Sequence, residues 1–426
     1  MNNYIFINGG VTSPQGFTAN GICAGVKQAT SAAITKAIKA NDTPVIPNGK
    51  RDLALIACDK PCSAAAIFTK NLVKSDTIYV TQKHLENGVA QAVIVNSGNA
   101  NACNPDGYEK AEAMAKLAAD ALGIDENNVI VASTGVIGQP LPLAPIESGV
   151  NALKDILSKD GGTNAAEAIM TTDTVKKEWA VQTVIGGKTV TIGGIAKGSG
   201  MIHINMGTTL SFVTTDAAIS ADMLRLALIE AADVSYNMVS VDGDTSTNDT
   251  LAILASGYAG NDEITEKNED YGIFLEALTA AFKKVAKLLA SDGEGATKLL
   301  ICNVSGAVDE KAAKTVAKSV ICSSLVKAAM FGADANCGRI LCAIGYSGAQ
   351  VNDVKKVDVL YKSAAGEILV CQNGCGLAFD EAKAEKILLE NEIEIIITLG
   401  DGASTAEAYG CDLTYDYVKI NGDYRT

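Results

Sequence analysis

Apolar positions recur along this chain in two rhythms. Met114, Leu117, Ala118, Ala121 and Leu122 fall at helical spacing ahead of Gly123, a residue that readily takes the left-handed turn ending a helix. Phe274, Leu278, Phe282, Val285 and Leu289 mark a longer helix that stops at Ser291-Asp292-Gly293 and leaves Glu294 in the following loop. The second rhythm is alternation: from Trp179 to Ile195 apolar and polar residues exchange on both sides of Gly186-Gly187, which predicts a hairpin with a glycine turn. After a break at Gly198-Ser199-Gly200, Leu210, Phe212 and Val213 resume a strand that Thr214-Thr215-Asp216 closes. Ser220 then stands ready to cap a helix running to about Ala232, and Thr208 stands at the start of the strand.

Two short apolar runs, 93–95 and 129–132, lead into small polar residues. The first enters Asn96-Ser97-Gly98-Asn99-Ala100-Asn101, which reads as a strand giving way to a loop. The second enters Ser133-Thr134-Gly135-Val136-Ile137-Gly138, whose two glycines predict a turn with exposed amides, a candidate anion site. From about Leu299 the order becomes strand, helix near 312–320, strand, with a further helix near 380–391 before a strand at 394–398. The pattern predicts a main lobe over 1–300 and a smaller C-terminal α/β lobe over 301–426, with no repeat or Pro-rich linker between them.

Composition narrows the setting. A chain of 426 residues, 48% hydrophobic and 20% charged, carries a sizeable core, and only 5% aromatics means that core is built of small aliphatic side chains between helices and sheets. A net charge of -14 repels nucleic acid and anionic membrane surfaces, so neither is an expected partner. The first residues lack the basic and apolar regions of a signal peptide, and a cytoplasmic location is the expectation. Eleven cysteines, an odd number spread thinly, read as small buried hydrophobes in a reducing compartment.

Familiar chemistry is thin. There are two histidines, His84 and His203, and neither opens a His-x-x-x-Asp acyltransferase motif, since Gly88 and Gly207 occupy the fourth place on. No G-x-S-x-G elbow occurs. Gly187-Lys188-Thr189 ends like a P-loop, but Gln182 replaces the upstream glycine and the segment belongs to the hairpin. The pairs Cys58/Cys62 and Cys371/Cys375 lack further metal-ligand partners, and the stretch from Asp242, acidic over 242–249, departs from a calcium loop at its sixth position, Thr247, and its twelfth, Ile253. No metal and no cofactor are expected.

What remains is the segment Lys197-Gly198-Ser199-Gly200-Met201-Ile202-His203-Ile204-Asn205-Met206-Gly207-Thr208-Thr209-Leu210, a glycine-rich stretch delivering a hydroxyl residue to a strand start. If Gly207 sits in a strained turn, the Thr208 hydroxyl can attack the preceding carbonyl, shift the chain to an ester and let water release it. The freed α-amine, with a reference pKa of about 7.7 to 8.0, then serves as the base beside its own hydroxyl. The plain alternative is a threonine that merely begins a strand.

The wider sequence resembles the ornithine acetyltransferase family, also called the bifunctional glutamate N-acetyltransferase family of arginine biosynthesis. The resemblance spans nearly the whole chain. It includes Val11-Thr12 to Gly16-Phe17, residues 96–101, Ser133-Thr134-Gly135, Met170-Thr171-Thr172-Asp173-Thr174, residues 196–202, 241–244 and 246–249, and the tail from Gly410 to Asn421. The resemblance implies an α+β fold of the DmpA/ornithine acetyltransferase type, an αββα sandwich. It also implies self-cleavage between Gly207 and Thr208 into an α chain, 1–207, and a β chain, 208–426, assembled as an α2β2 heterotetramer from two cleaved precursors.

By the same resemblance Thr208 takes acetyl from N-acetyl-L-ornithine and passes it to L-glutamate in a ping-pong reaction, with acetyl-CoA as a further candidate substrate. Thr134 and Gly135 would form the oxyanion hole, and Thr171, Thr172, Lys197, Glu294, Asn421 and Thr426 would hold substrate. A lysine suits an α-carboxylate and a glutamate suits an ammonium. The bland readings are a solvated Lys197, a solvent-facing Glu294, a fraying Thr426 and a structural His203. The competing activity is an amidase or aminopeptidase in which water resolves the acyl-Thr208, and the non-enzymatic competitor is an uncleaved amino-acid-binding protein.

Overall fold

The computed structural model describes residues 3–35, 49–203 and 209–423. Among the described residues the strands form two sheets. The nine-stranded sheet comprises β1 (Tyr4–Ile7), β2 (Phe17–Ile22), β3 (Leu53–Phe68), β4 (Val89–Asn99), β5 (Val129–Val136), β6 (Lys177–Ile185), β7 (Lys188–Lys197), β8 (Leu210–Thr215) and β9 (Thr250–Ala255). Its order is β1-β6-β7-β8-β9-β3-β4-β5, with β2 added on β3. The six-stranded sheet comprises β10 (Leu299–Ala307), β11 (Asp358–Ser363), β12 (Gly366–Gln372), β13 (Cys375–Gly376), β14 (Glu392–Thr398) and β15 (Ser404–Cys411), in the order β13-β12-β11-β14-β10-β15. The helices are α1 (Val26–Thr35), α2 (Asp76–His84), α3 (Gly107–Leu122), α4 (Leu143–Lys154), α5 (Gly162–Ala168), α6 (Ala221–Asp233), α7 (Glu269–Ser291), α8 (Glu310–Cys322), α9 (Ser324–Phe331), α10 (Cys337–Gly345), α11 (Glu381–Leu388) and α12 (Tyr415–Asp423).

The layering follows from alternation along the strands. Val93, Val95, Ile130 and Ala132 share one apolar cluster with Ile195, Leu210, Phe212, Ala252 and Leu254 of β7, β8 and β9. Their chain neighbours Ala92, Ile94, Val129 and Val131 point the other way, onto Met114, Ala118, Ile146 and Val150 of α3 and α4. Likewise Ala196, Val213, Leu251 and Ile253 turn toward α6 and α7. Since successive strand side chains alternate faces, these clusters mean one sheet doubled onto itself, with helices outside each half. The α+β, αββα sandwich expected from the sequence is therefore present. The doubling occurs in β3: Ala57 opposes Ala92 while Cys62 opposes Ala90, so residues 58–61 bulge out. Its first half pairs with β2 and β4, and its second half pairs with β9.

The two long helices predicted from periodicity are observed, and their ends have visible causes. Gly123 follows α3 at φ 68, and the Asn268 side chain caps α7 by accepting the Tyr271 amide at 3.0 Å. Phe274, Leu278, Phe282, Val285 and Leu289 are fully buried, and one face of this kind contributes on the order of 10 kcal/mol of gross apolar burial. Phe282 meets the lone tryptophan, Trp179, edge-on at 6.0 Å, pinning α7 to β6. The hairpin turns at Gly186 and Gly187, both at positive φ, and Ser220 caps α6 by accepting the Met223 amide. The same apolar cluster continues from α6 and α7 into β10, β15 and α8.

Four expectations need correction. Residues 96–99 are not a loop: β4 runs on to Asn99, because its polar side chains find partners inside the sheet end. Ser97 Oγ donates to Ala168 O at 2.6 Å, Asn96 Nδ2 donates to Asn99 O at 2.9 Å and Ser133 Oγ donates to Asn96 Oδ1 at 2.6 Å. For the same reason Thr134 and Gly135 lie in β5, which extends to Val136, rather than in an open turn. In the C-terminal part α9 and α10 intervene before the next strand, where the reading had strand directly after helix. All eleven cysteines are free, but the buried-hydrophobe reading fits only Cys58, Cys62, Cys302, Cys371 and Cys411.

Candidate active site

The strand ends on one side of the doubled sheet bring the chemistry together. Lys197, the last residue of β7, is 8% exposed and donates from Nζ to Thr134 Oγ1 at 3.4 Å. Its register partner on β8 is Leu210, so the strand that begins just after residue 208 pairs directly with Lys197. The neighbouring Gly135 holds φ at 130, and a Cβ there would lie 2.4 Å from Gly98 C and 2.6 Å from Asn99 N. Only glycine lets β5 approach β4 so closely at this point.

From Lys197 the chain enters the turn Gly198-Ser199-Gly200, and this turn reaches Glu294. The Glu294 amide donates to Ser199 O at 3.0 Å, and Glu294 Oε2 accepts from Asn421 Nδ2 of α12 at 2.8 Å. Thr171 joins through its amide, which Asp173 Oδ2 accepts at 3.1 Å, and Thr172 shares that turn, half-buried. Thus Thr134, Gly135, Thr171, Lys197, Glu294 and Asn421 gather around one cluster. Lys197 and Glu294 are both buried, which removes the solvated readings of each. Gly207, Thr208 and Thr426 lie outside the described residues.

Electrostatics give the cluster its character. Burial pushes the Lys197 ammonium below its ordinary value, while Asp173, Asp249 and Glu294 pull the other way. Burial would raise Asp173, yet Lys197, Lys177 and the Gly198 amide outweigh it and hold the carboxyl at about 2. Asp249 is the opposite case: with burial dominant over a hydrogen bond from Ser246 and the charge of Lys197, its carboxyl is pushed up to about 7. Asp173 and Asp249 both stand in motifs noted in the sequence, but nothing there distinguished them from their neighbours. Lys177, which bonds both Asp173 and Asp292, carried no sequence signal, and Asp292 read only as part of the stop after the long helix.

Thr171 and Asp173 line a cavity of about 480 Å³ with Lys27, Arg51 and Glu167, a size that suits a small ligand. Larger cavities lie elsewhere, one of about 1030 Å³ beside His203, Lys314 and Cys322. Burial and the charge of Lys318 bring His203 down to about 4, and its Nδ1 faces Ser240 Oγ at 3.2 Å. Such a neutral, hydrogen-bonded ring serves structure. Residues 242–244 form a hydrogen-bonded turn in which Asp242 accepts the amides of Met201, Ile202 and Asp244. Among the described residues no group of three or more His, Cys, Asp or Glu side chains is placed to hold a metal ion, and no helix is long and apolar enough to cross a membrane.

Comparison with known proteins decides the family. The profile of the ArgJ family matches residues 32–426. This chain belongs to the ArgJ family. It is accordingly an acyltransferase-class enzyme, as its motifs implied. The arginine biosynthesis bifunctional protein ArgJ of Symbiobacterium thermophilum is 51% identical over 422 residues, covering 99% of this chain and 100% of that one. The ArgJ protein of Caldanaerobacter subterraneus subsp. tengcongensis is 47% identical, covering 99% of each. Among solved structures, the Bacillus halodurans ArgJ protein is 44% identical with a TM-score of 0.47, covering 50% of this chain and 98% of that one. The Mycobacterium tuberculosis ornithine acetyltransferase, crystallised with ornithine, is 36% identical with a TM-score of 0.41, covering 48% of this chain and 99% of that one.

Proposed function

We propose that this ArgJ-family chain moves an acetyl group from N-acetyl-L-ornithine to L-glutamate, with Thr208 as nucleophile. The observation that carries the reading is the meeting of a buried lysine, Lys197, with Thr134 and Gly135 at the strand end that pairs with the start of β8.

The proposed sequence of steps begins with processing. Thr208 Oγ attacks the Gly207 carbonyl, the peptide C–N bond breaks as the ester forms, and water hydrolyses that ester to leave a free Thr208 amine and a Gly207 carboxylate. The chains 1–207 and 208–426 remain associated through the β7–β8 pairing and the bonds of Ser199 and Lys177 to the segment 292–294. In transfer, the Thr208 amine takes the hydroxyl proton as Oγ attacks the acetamide carbonyl. Amide donors at Thr134 and Gly135 stabilise the oxyanion. Collapse expels ornithine with the proton, and glutamate's amine then attacks the acetyl ester to give N-acetylglutamate and restore the hydroxyl.

Lys197 and Thr171 or Thr172 receive the substrate carboxylate, while Glu294, Asn421 and Thr426 receive the ornithine side-chain ammonium. The names of the bifunctional relatives support a second reaction, for which acetyl-CoA is the proposed donor. A cytoplasmic α2β2 assembly without cofactor completes the reading.

Mass spectrometry of the purified protein tests processing: two fragments are expected from wild type and one from Thr208→Ala. Incubation with labelled N-acetylornithine and glutamate tests transfer. Labelled N-acetylglutamate is the expected product, and dominant release of acetate would replace the transferase by the hydrolase reading.

A further inference from the structure

Two segments far apart in sequence, 173–177 and the residues around 292, meet on one buried ammonium, and a third, 198–199, bonds the two aspartates. Lys177 Nζ lies 2.8 Å from Asp173 Oδ1, 2.6 Å from Asp292 Oδ2 and 3.3 Å from Val175 O. Each of the three charged side chains is at most 2% exposed. Asp173 also accepts the amides of Thr171 at 3.1 Å and Gly198 at 2.6 Å. Asp292, just beyond α7, accepts the amides of Thr174 at 3.2 Å and Val175 at 3.4 Å together with the Thr174 hydroxyl, and its carbonyl accepts from Ser199 Oγ at 2.6 Å.

Each clamped segment carries a residue of the proposed substrate site. Thr171 lies two residues before Asp173, Lys197 adjoins Gly198, and Glu294 lies two residues beyond Asp292. We propose that Lys177, with Asp173 and Asp292, forms a positioning unit that fixes the spacing of Thr171, Lys197 and Glu294 and so sets the length of the amino acid the site accepts. The inference rests on the reading of those three residues as substrate contacts.

A buried charge cluster is a poor device for stability, because desolvation offsets much of the Coulomb attraction. It is a good device for registry, since its geometry tolerates little displacement. The charges also interlock with recognition. Asp173 and Asp292 are balanced by Lys177 together with the nearby Lys197, so removing Lys177 leaves Asp173 to compete with substrate for Lys197.

The test compares wild type, Lys177→Met and Val316→Ala, the last a buried change in α8 that serves as a stability control. In Lys177→Met, KM for N-acetylornithine and for glutamate is expected to rise about 10-fold with kcat changed far less, the size seen when a support behind a recognition group is lost. Discrimination between glutamate and its homologue one methylene longer should narrow. Val316→Ala should lose melting temperature without either effect. The proposal is overturned if Lys177→Met matches Val316→Ala in KM and acceptor preference. Should Lys177→Met not accumulate as folded protein, Asp292→Asn, of equal volume, is judged by the same two outcomes. Calorimetry with ornithine and glutamate reads the same comparison without turnover. A wild type that binds both amino acids but transfers no acetyl refutes the proposed function and leaves the clamp to be judged on affinity.

Discussion

Replacing Gly135 by alanine puts the close approach of β5 to β4 under direct strain. The added Cβ would sit 2.4 Å from Gly98 C and 2.6 Å from Asn99 N, whereas ordinary contacts begin at 3.4 Å, so the strands must part by about 1 Å. The neighbours are backbone and cannot swing aside. A positive φ of 130 adds backbone strain of about 1–3 kcal/mol, and overpacking adds about 1–3 kcal/mol more. With an unfolding entropy of about 2.1 cal/mol/K per residue, a chain of 426 residues loses roughly 1 °C per kcal/mol, giving a drop of roughly 2–7 °C.

The control is Gly123→Ala, at φ 68 with open space around it, where strain of about 1–2 kcal/mol predicts a drop of about 1–2 °C. Differential scanning fluorimetry separates the two, and acetyl transfer supplies the second axis. A displaced oxyanion donor should lower kcat about 10²–10³-fold in Gly135→Ala, with Gly123→Ala at wild-type activity. Equal melting temperatures and equal rates for the two variants would refute both the steric argument and the role given to β5.

At Gly200 the obstacle is of another kind, because an added Cβ would lie 2.3 Å from the Glu294 carboxyl, the far end of a flexible side chain. Gly200→Ala should therefore fold normally but pull Glu294 from Asn421, raising KM for N-acetylornithine in steady-state kinetics; an unchanged KM would remove Glu294 from ammonium recognition. Asp249 supplies a pH test. Its carboxyl rises from 3.8 to about 7 on burial, so its contribution to stability is full below about 3.8 and is lost as pH climbs through about 7. Melting temperatures at pH 5 and pH 8 should fall more steeply for wild type than for Asp249→Asn, and parallel slopes would contradict the assignment.

The elements that read well in the sequence are those whose cause is local. The periodicity of α7, the Gly123 stop of α3, the glycine turn after β6 and the Ser220 cap of α6 each depend on residues within a turn or two. Residues 96–99 and 133–136 read badly because their hydrogen-bond partners are remote: Ser97 bonds Ala168, and Asn248 bonds Ala100 and Ser133. Polar residues in a row look like a loop until a distant segment arrives to satisfy them.

The sequence by itself determined the family motifs, the period-two and helical patterns, and the pairing of a glycine turn with hydroxyl residues near 208. It also named Lys197, Thr134, Thr171, Glu294 and Asn421. What only the tertiary structure decided is how these groups sit: Lys197 buried against Thr134, Glu294 turned onto Asn421, and Lys177 locked between Asp173 and Asp292. The physical reason is that a charge inside a protein takes its character from what excludes water around it. That surrounding shell is assembled from residues as far as 115 positions apart, a distance no local pattern can report.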